Sequence, residues 1–215
     1  MFDSCIKCGS YSPEEGFEYV DGFYICSSCG HQHPFTKSPL FVVTGAPGAG
    51  KSTLYNQVLT TQQKPDMVYF ADDYLGVLDQ YGGRSSLCAH MLLVSSVIAQ
   101  SGRPVVLFSG TSPSEYEHSD RRNLVAEIYY LVVVCERDML RERHWARPQW
   151  RNAVYSSAAE MEQAIESYAD QNQLFIDNVG CAKPPYSLLD TSSHSRENCA
   201  EQLFGWIRGK LSENP

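Results

Sequence analysis

The chain has 215 residues, with 17 Lys plus Arg against 25 Asp plus Glu, a formal charge of −8 and 43% apolar residues. That apolar share excludes a globally disordered chain, and the length predicts one domain with room for a small extra module. The acidic balance argues against a surface that binds nucleic acid throughout, so only a local basic patch could do so. No apolar run approaches the ~20 residues of a membrane helix. The opening MFDSCIKCGS has no apolar signal core, which predicts a cytoplasmic chain that contacts no membrane.

The first chemistry in chain order is metal-binding. Eight cysteines is a high count for a reducing compartment, where paired cysteines bind metal more often than they form disulfides. Four of them read Cys5-Ile-Lys-Cys8 and Cys26-Ser-Ser-Cys29, with seventeen residues between the pairs. This spacing predicts a closed four-cysteine zinc site with Cys5, Cys8, Cys26 and Cys29 as ligands. Iron held tetrahedrally by the same thiolates is the main rival. Each pair is followed by glycine, Gly9 and Gly30, which suits a tight turn that aims amides at thiolates. Between the pairs, Asp21-Gly22 separates two β-prone runs, a hairpin signal. Residues 1–36 therefore read as a zinc ribbon, a module too small to fold without its metal. His31 and His33 read as solvated polar residues. Cys88, Cys135, Cys181 and Cys199 show no ligand spacing and read as buried core thiols.

Residues 33–39, with two prolines, read as a linker. A second module follows over 38–215. Leu40-Phe41-Val42-Val43-Thr44 is a continuous apolar run, as for a strand buried on both faces. Directly after it, Gly45-Ala46-Pro47-Gly48-Ala49-Gly50-Lys51-Ser52-Thr53 matches the P-loop pattern G-x-x-x-x-G-K-[ST], and residues 54–59 suit a helix. Amides of this loop would cradle the phosphates of ATP, Lys51 would reach the β- and γ-phosphates, and Ser52 would coordinate Mg²⁺. Further strands are expected at 67–71, 103–108, 129–135 and 186–189. Helices are expected at 88–100, 121–127, 137–147, 157–173 and 197–211. Five strands interleaved with helices predict an α/β fold with a five-stranded parallel sheet.

A P-loop specifies a triphosphate, not a reaction. No N-K-x-D segment is present to read a guanine base, and the 103–108 strand runs into Ser109-Gly110-Thr111 without an acid. The strong acidic pair is Asp72-Asp73, after the second strand. In an open α/β sheet the strand C-termini form the ligand crevice. A carboxylate there can take the proton of an attacking hydroxyl, and its neighbour can hold the acceptor. The competing role for either acid is a helix N-cap. A basic cluster follows: Arg137, Arg141, Arg143, Arg147 and Arg151, with Trp145 and Trp150 among them. Arg143 and Arg147 are spaced i, i+4 and share a helix face. They read as lid arginines that stabilise charge on the transferring phosphoryl group. A solvated face paired with Glu136 and Glu142 is the competing reading, and a nucleic-acid patch is less favoured.

The order P-loop, Asp72-Asp73, Leu140-x-x-Arg143-x-x-x-Arg147 and Leu189-Asp190-Thr191-Ser192 resembles the small P-loop kinases, which include shikimate, gluconate, nucleoside and nucleoside-monophosphate kinases. Phe70-Ala71-Asp72-Asp73-Tyr74 is most similar to the polynucleotide kinase and zeta-toxin-like branch. The resemblance implies Asp72 as general base, Asp73 as acceptor ligand, Arg143 and Arg147 as lid arginines, and Asp190 and Thr191 beside the adenine. Arg84 is the first arginine after the acidic pair and the candidate acceptor contact. The expected protein is an ATP- and Mg²⁺-dependent kinase acting on a hydroxyl or phosphate of a small molecule, with a nucleoside or nucleotide favoured. The alternative is a nucleotide-dependent ATPase or switch whose ribbon docks RNA or a protein.

Overall fold

The computed structural model describes residues 4–10, 17–20, 22–72, 82–146, 155 and 157–213. Asp73, Arg147, Trp150 and Arg151, all singled out in the sequence, lie outside the described residues.

Strands β1 (Phe17–Val20) and β2 (Phe23–Cys26) pair antiparallel with Val20 opposite Phe23, the register expected of a hairpin. Gly22 takes a φ of 85°, which a side chain would strain. A third strand, β3 (Gln32–Pro34), returns along β2 with Phe23 opposite Pro34. The linker expected from residue 33 therefore starts later. Pro34 ends an edge strand, where its missing N–H costs no ladder bond.

The second sheet is parallel throughout. Its strands are β4 (Leu40–Thr44), β5 (Val68–Ala71), β6 (Val105–Phe108), β7 (Ile128–Val134) and β8 (Ser187–Asp190), in the spatial order β5-β6-β4-β7-β8. Helices follow as α1 (Lys51–Thr60), α2 (Arg84–Ala99), α3 (Pro113–Glu117), α4 (Arg137–Trp145), α5 (Ala158–Asn178) and α6 (Arg196–Glu213). Alternation along β4 divides the core. Phe41 and Val43 join a cluster with Leu54 and Val58 of α1, Ile165 of α5 and Leu203 of α6. Leu40 and Val42 join another with Met91 and Leu92 of α2 and Tyr116 of α3. Both faces of the strand are thus covered, which is why its sequence is apolar without a break. No described helix is long and apolar enough to cross a membrane.

Several expectations are corrected. The helix expected over 121–127 is only a 3-10 turn, Arg122–Leu124. Its continuation is pulled straight because the Ala126 amide donates to the Ser38 carbonyl and the Glu127 carbonyl accepts from the Leu40 amide. The competing partner is the neighbouring chain segment rather than the next helical turn. Helix α3 was not expected. Ser112 and Glu115 form a reciprocal capping box around Pro113 at the first turn, which starts a helix too short for a periodicity argument. Helix α2 begins at Arg84 rather than 88, and α5 runs on to Asn178. Cys88, Cys135 and Cys199 are buried as expected, whereas Cys181 is exposed just past α5.

The ribbon rests on the core. Tyr24 and Phe35, with ring centroids 4.8 Å apart, are buried with Leu124, and Leu93 of α2 packs against them. Gln100, just past α2, clamps Thr36: its Oε1 accepts from the Thr36 amide at 3.1 Å and its Nε2 donates to the Thr36 carbonyl at 2.8 Å.

Candidate functional site

The four ribbon cysteines converge. Their sulfur atoms all lie within 4.8 Å of one another, with Cys5 to Cys29 at 3.6 Å and Cys8 to Cys26 at 3.8 Å. These distances are far beyond a disulfide bond of about 2.05 Å. They match the ~3.8 Å edge of a tetrahedron of thiolates at ~2.3 Å from a metal. The two turns repeat one backbone hydrogen-bond pattern: the Gly9 amide donates to the Cys5 carbonyl and the Gly30 amide to the Cys26 carbonyl, each at 2.8 Å. The thiol of Cys5 is drawn down to about 5. Burial opposes this, but the amides of Cys8 and Lys7 and the side chain of His33 outweigh it. His33 is therefore not merely solvated; it lies against the Cys5 sulfur, with the His31 ring edge-on to its own at 4.6 Å.

The P-loop follows β4 as the sequence requires. Gly45, Gly48 and Gly50 adopt φ of 142°, 86° and 112°. Two of them also make room. A Cβ on Gly45 would stand 2.2 Å from the Val133 carbonyl oxygen, and one on Gly48 would stand 2.6 Å from His144 Nε2. The loop is thus wedged between β7 and α4. Helix α1 starts at Gly50 with no side-chain cap and no acid in its first turn. Such a start presents amides and the positive end of the helix dipole, a fit for phosphate. Lys51 Nζ lies across the loop, donating to the carbonyls of Gly45 at 2.6 Å and Ala46 at 3.2 Å.

Asp72 emerges at the end of β5, where Lys51, Ser52, Tyr55 and Asn56 of α1 face it across a small cleft. Its carboxylate is buried, and Oδ2 accepts from Ser109 Oγ at 2.6 Å and from the Gly110 amide at 3.1 Å. Ser109-Gly110-Thr111 therefore does not replace an acid in this site; it holds one. Thr44 Oγ1 donates to the Thr111 carbonyl at 2.7 Å, tying the end of β4 to the same turn. The glycine-rich loop's helix start and a fixed carboxylate thus share one crevice.

On the other side of the loop, Arg143 of α4 joins two segments. Its Nη1 donates to the Ala49 carbonyl at 3.1 Å and to Thr191 Oγ1 at 2.9 Å, and its Nη2 donates to the Thr191 carbonyl at 3.0 Å. Thr191 Oγ1 in turn donates to the Ala49 carbonyl at 2.7 Å. Beside these groups opens a cavity of about 530 Å³ bounded by Gly50, Thr53, Leu54, Arg143, Thr191 and Ser192. Thr191 lies on its wall. Asp190 is exposed, and its Oδ1 accepts from the Ser192 amide at 2.9 Å, so it shapes the turn rather than the cavity wall. Arg84 is exposed at the first position of α2.

Of the described arginines of the basic cluster, Arg137 and Arg141 find their acids on another helix rather than at Glu136 and Glu142. Arg137 bridges Glu166 and Asp170, and Arg141 bridges Glu162 and Glu166, all on α5. Sequence reasoning missed Ser109, Tyr116 and His144. Ser109 had a usable signal, a hydroxyl at the C-terminal end of a buried strand. Tyr116 had none, since its helix was not expected. His144 lies one residue beyond Arg143, and the register of α4 turns it toward the loop.

No family model and no curated protein sequence matches the chain. Solved structures do. A sugar kinase from a Janibacter species is 13% identical with a TM-score of 0.54, over 80% of this chain and 95% of that one. Shikimate kinase from Acinetobacter baumannii, in complex with shikimate, is 12% identical with a TM-score of 0.50, over 81% of this chain and 95% of that one. The shared feature is the fold: a five-stranded parallel sheet flanked by helices.

Proposed function

We propose that this chain is an ATP- and Mg²⁺-dependent kinase that phosphorylates a hydroxyl group of a small molecule. The observation that carries the reading is Asp72, fixed by Ser109 and Gly110 in the cleft that Lys51 and Ser52 also line. A carboxylate held in one orientation beside a phosphate loop suits proton removal from an attacking hydroxyl. A phosphate acceptor carries no proton that must leave, so the base favours a hydroxyl. The sugar and shikimate kinases of the same fold support this direction.

In this reading the P-loop amides and Lys51 bind the triphosphate, and Lys51 exchanges its carbonyl partners for phosphate oxygens. Ser52 would hold Mg²⁺, whose charge would offset that of the triphosphate. Asp72 accepts the acceptor's proton. Arg143 holds the loop against Thr191, with the nucleotide base beside them in the larger cavity. The four thiols of the ribbon take zinc, whose role is to fold that module. The test is a panel of acceptors (sugars, hydroxy acids, nucleosides and nucleotides) with γ-labelled ATP and the full chain. Label transfer to a hydroxyl acceptor is expected. ATP hydrolysis stimulated by RNA or protein, with no labelled acceptor, would overturn the reading in favour of a switch.

A further inference from the structure

The hydrogen bonds behind Asp72 extend one residue beyond the crevice. Ser109 Oγ is bonded three times: it accepts from the Tyr116 hydroxyl at 2.7 Å and from the Thr111 amide at 3.0 Å, and it donates to Asp72 Oδ2 at 2.6 Å. A serine hydroxyl has two acceptor lone pairs and one proton. The Thr111 N–H can only donate, and an ionised carboxylate can only accept. The direction of every bond follows: Tyr116 gives to Ser109, and Ser109 gives to Asp72. Tyr116 is fully buried in the core between α2 and the sheet, 0% exposed, so its ring holds the hydroxyl in one place.

We infer that Tyr116 is a positioning residue for Asp72, acting through Ser109 to fix the carboxylate's orientation and strengthen the hydrogen bond that it accepts. The inference rests on the reading of Asp72 as the base. A donor at the far side of a hydroxyl polarises its O–H, so hydrogen bonds in such a chain reinforce one another. The 2.6 Å Ser109–Asp72 contact has the length of a bond to an ionised acceptor. Burial pushes the Tyr116 phenol well above its ordinary range; the Ser109 hydrogen bond opposes this and the Asp72 charge adds to it. Tyr116 therefore stays protonated, and a donor, while Asp72 titrates. Among the described residues, Lys51 and Tyr55 of α1 line the same cleft as the carboxylate, and Cys88 of α2, itself facing Arg84 and Glu115, feels its charge. None changes when the phenol oxygen alone is removed.

Bonds to the ionised form favour it, so loss of the relay makes Asp72 easier to protonate. The test follows the Asp72 carboxyl directly. The full chain is labelled with carboxyl-¹³C aspartate, and the Asp72 signal is assigned by its loss in Asp72→Asn. Wild type, Tyr116→Phe and Ser109→Ala are then titrated. Tyr116→Phe should raise the proton affinity of Asp72 about 3- to 10-fold, an upward move of about 0.5–1 pH unit. Ser109→Ala should raise it at least as far, and it carries the same test if Tyr116→Phe does not fold. The acid limb of the turnover profile should move up in step. An unmoved Asp72 midpoint in folded Tyr116→Phe overturns the relay, even if turnover falls or Ser109→Ala moves it. A moved midpoint in a protein that phosphorylates no acceptor keeps the relay and overturns the kinase reading instead.

Discussion

The two oxygens of Asp72 stand in different surroundings, because Ser109 and Gly110 both bond to Oδ2. An asparagine keeps an oxygen that can accept those bonds. Asp72→Asn should therefore alter stability by no more than about 1 kcal/mol. It should lower turnover about 10²–10⁴-fold, the usual worth of a positioned base, with ATP affinity nearly unchanged. Turnover, ATP affinity and melting temperature measured on one preparation separate the roles. Near-normal acceptor phosphorylation by the variant would remove the base assignment. The glycines make a second test. At Gly45 a methyl group meets the Val133 carbonyl oxygen at 2.2 Å, and backbone cannot step aside as a side chain can. Gly45→Ala should cost about 1–3 kcal/mol from crowding. It should also weaken nucleotide binding by displacing the loop from β7. An unchanged melting temperature with normal nucleotide affinity would contradict that packing.

Among the elements, legibility tracked how much each one decides locally. Strand β4 and the loop after it were readable because burial on both faces demands an unbroken apolar run, and the phosphate loop demands its glycines. The hairpin was readable from Asp21-Gly22. What failed was decided by neighbours. Residues 121–127 have helical composition, yet the Ser38 carbonyl and Leu40 amide claim their backbone. The partners of Arg137 and Arg141 were sought on their own helix, but α5 supplies them across an interhelical contact invisible to i, i+4 counting. That ladder is partly exposed, with side chains 36–44% accessible on the arginines, so each bridge should be worth about 0–1 kcal/mol. Arg141→Ala, which breaks two bridges, should lower stability by no more than about 2 kcal/mol, and the loss should shrink in high salt. Thermal melts at low and high ionic strength check this. ATP affinity should not change, since Arg143 alone of the described arginines on α4 bonds to the loop. A large fall in affinity would mean that the ladder sets the position of α4 over the site.

At the scale of the whole molecule, the three-stranded ribbon and the five-stranded sheet differ in how much core each has among the described residues. The sheet domain has an extensive core on each face of the sheet, whereas the ribbon's buried cluster is Tyr24 and Phe35 on Leu124 with Leu93 beside them. The thiols therefore supply what the ribbon's core lacks, and the metal should decide whether it folds. One zinc per chain is expected in the purified protein. Cys26→Ser combined with Cys29→Ser should remove it, because two of the four ligands are lost. The ribbon strands should then melt, and the chain before Leu40 should become sensitive to protease. The parallel sheet should survive, since among the described residues the contact it loses centres on Leu93, Leu124 and the Gln100 clamp on Thr36. Nucleotide affinity should be retained for the same reason. Elemental analysis, limited proteolysis and a melting curve together decide the matter. Stoichiometric metal kept by the double variant would move the ligands elsewhere. Collapse of the sheet domain would show that α2, held at its C-terminal end by the ribbon and reaching the crevice at its start, needs that contact to stay folded.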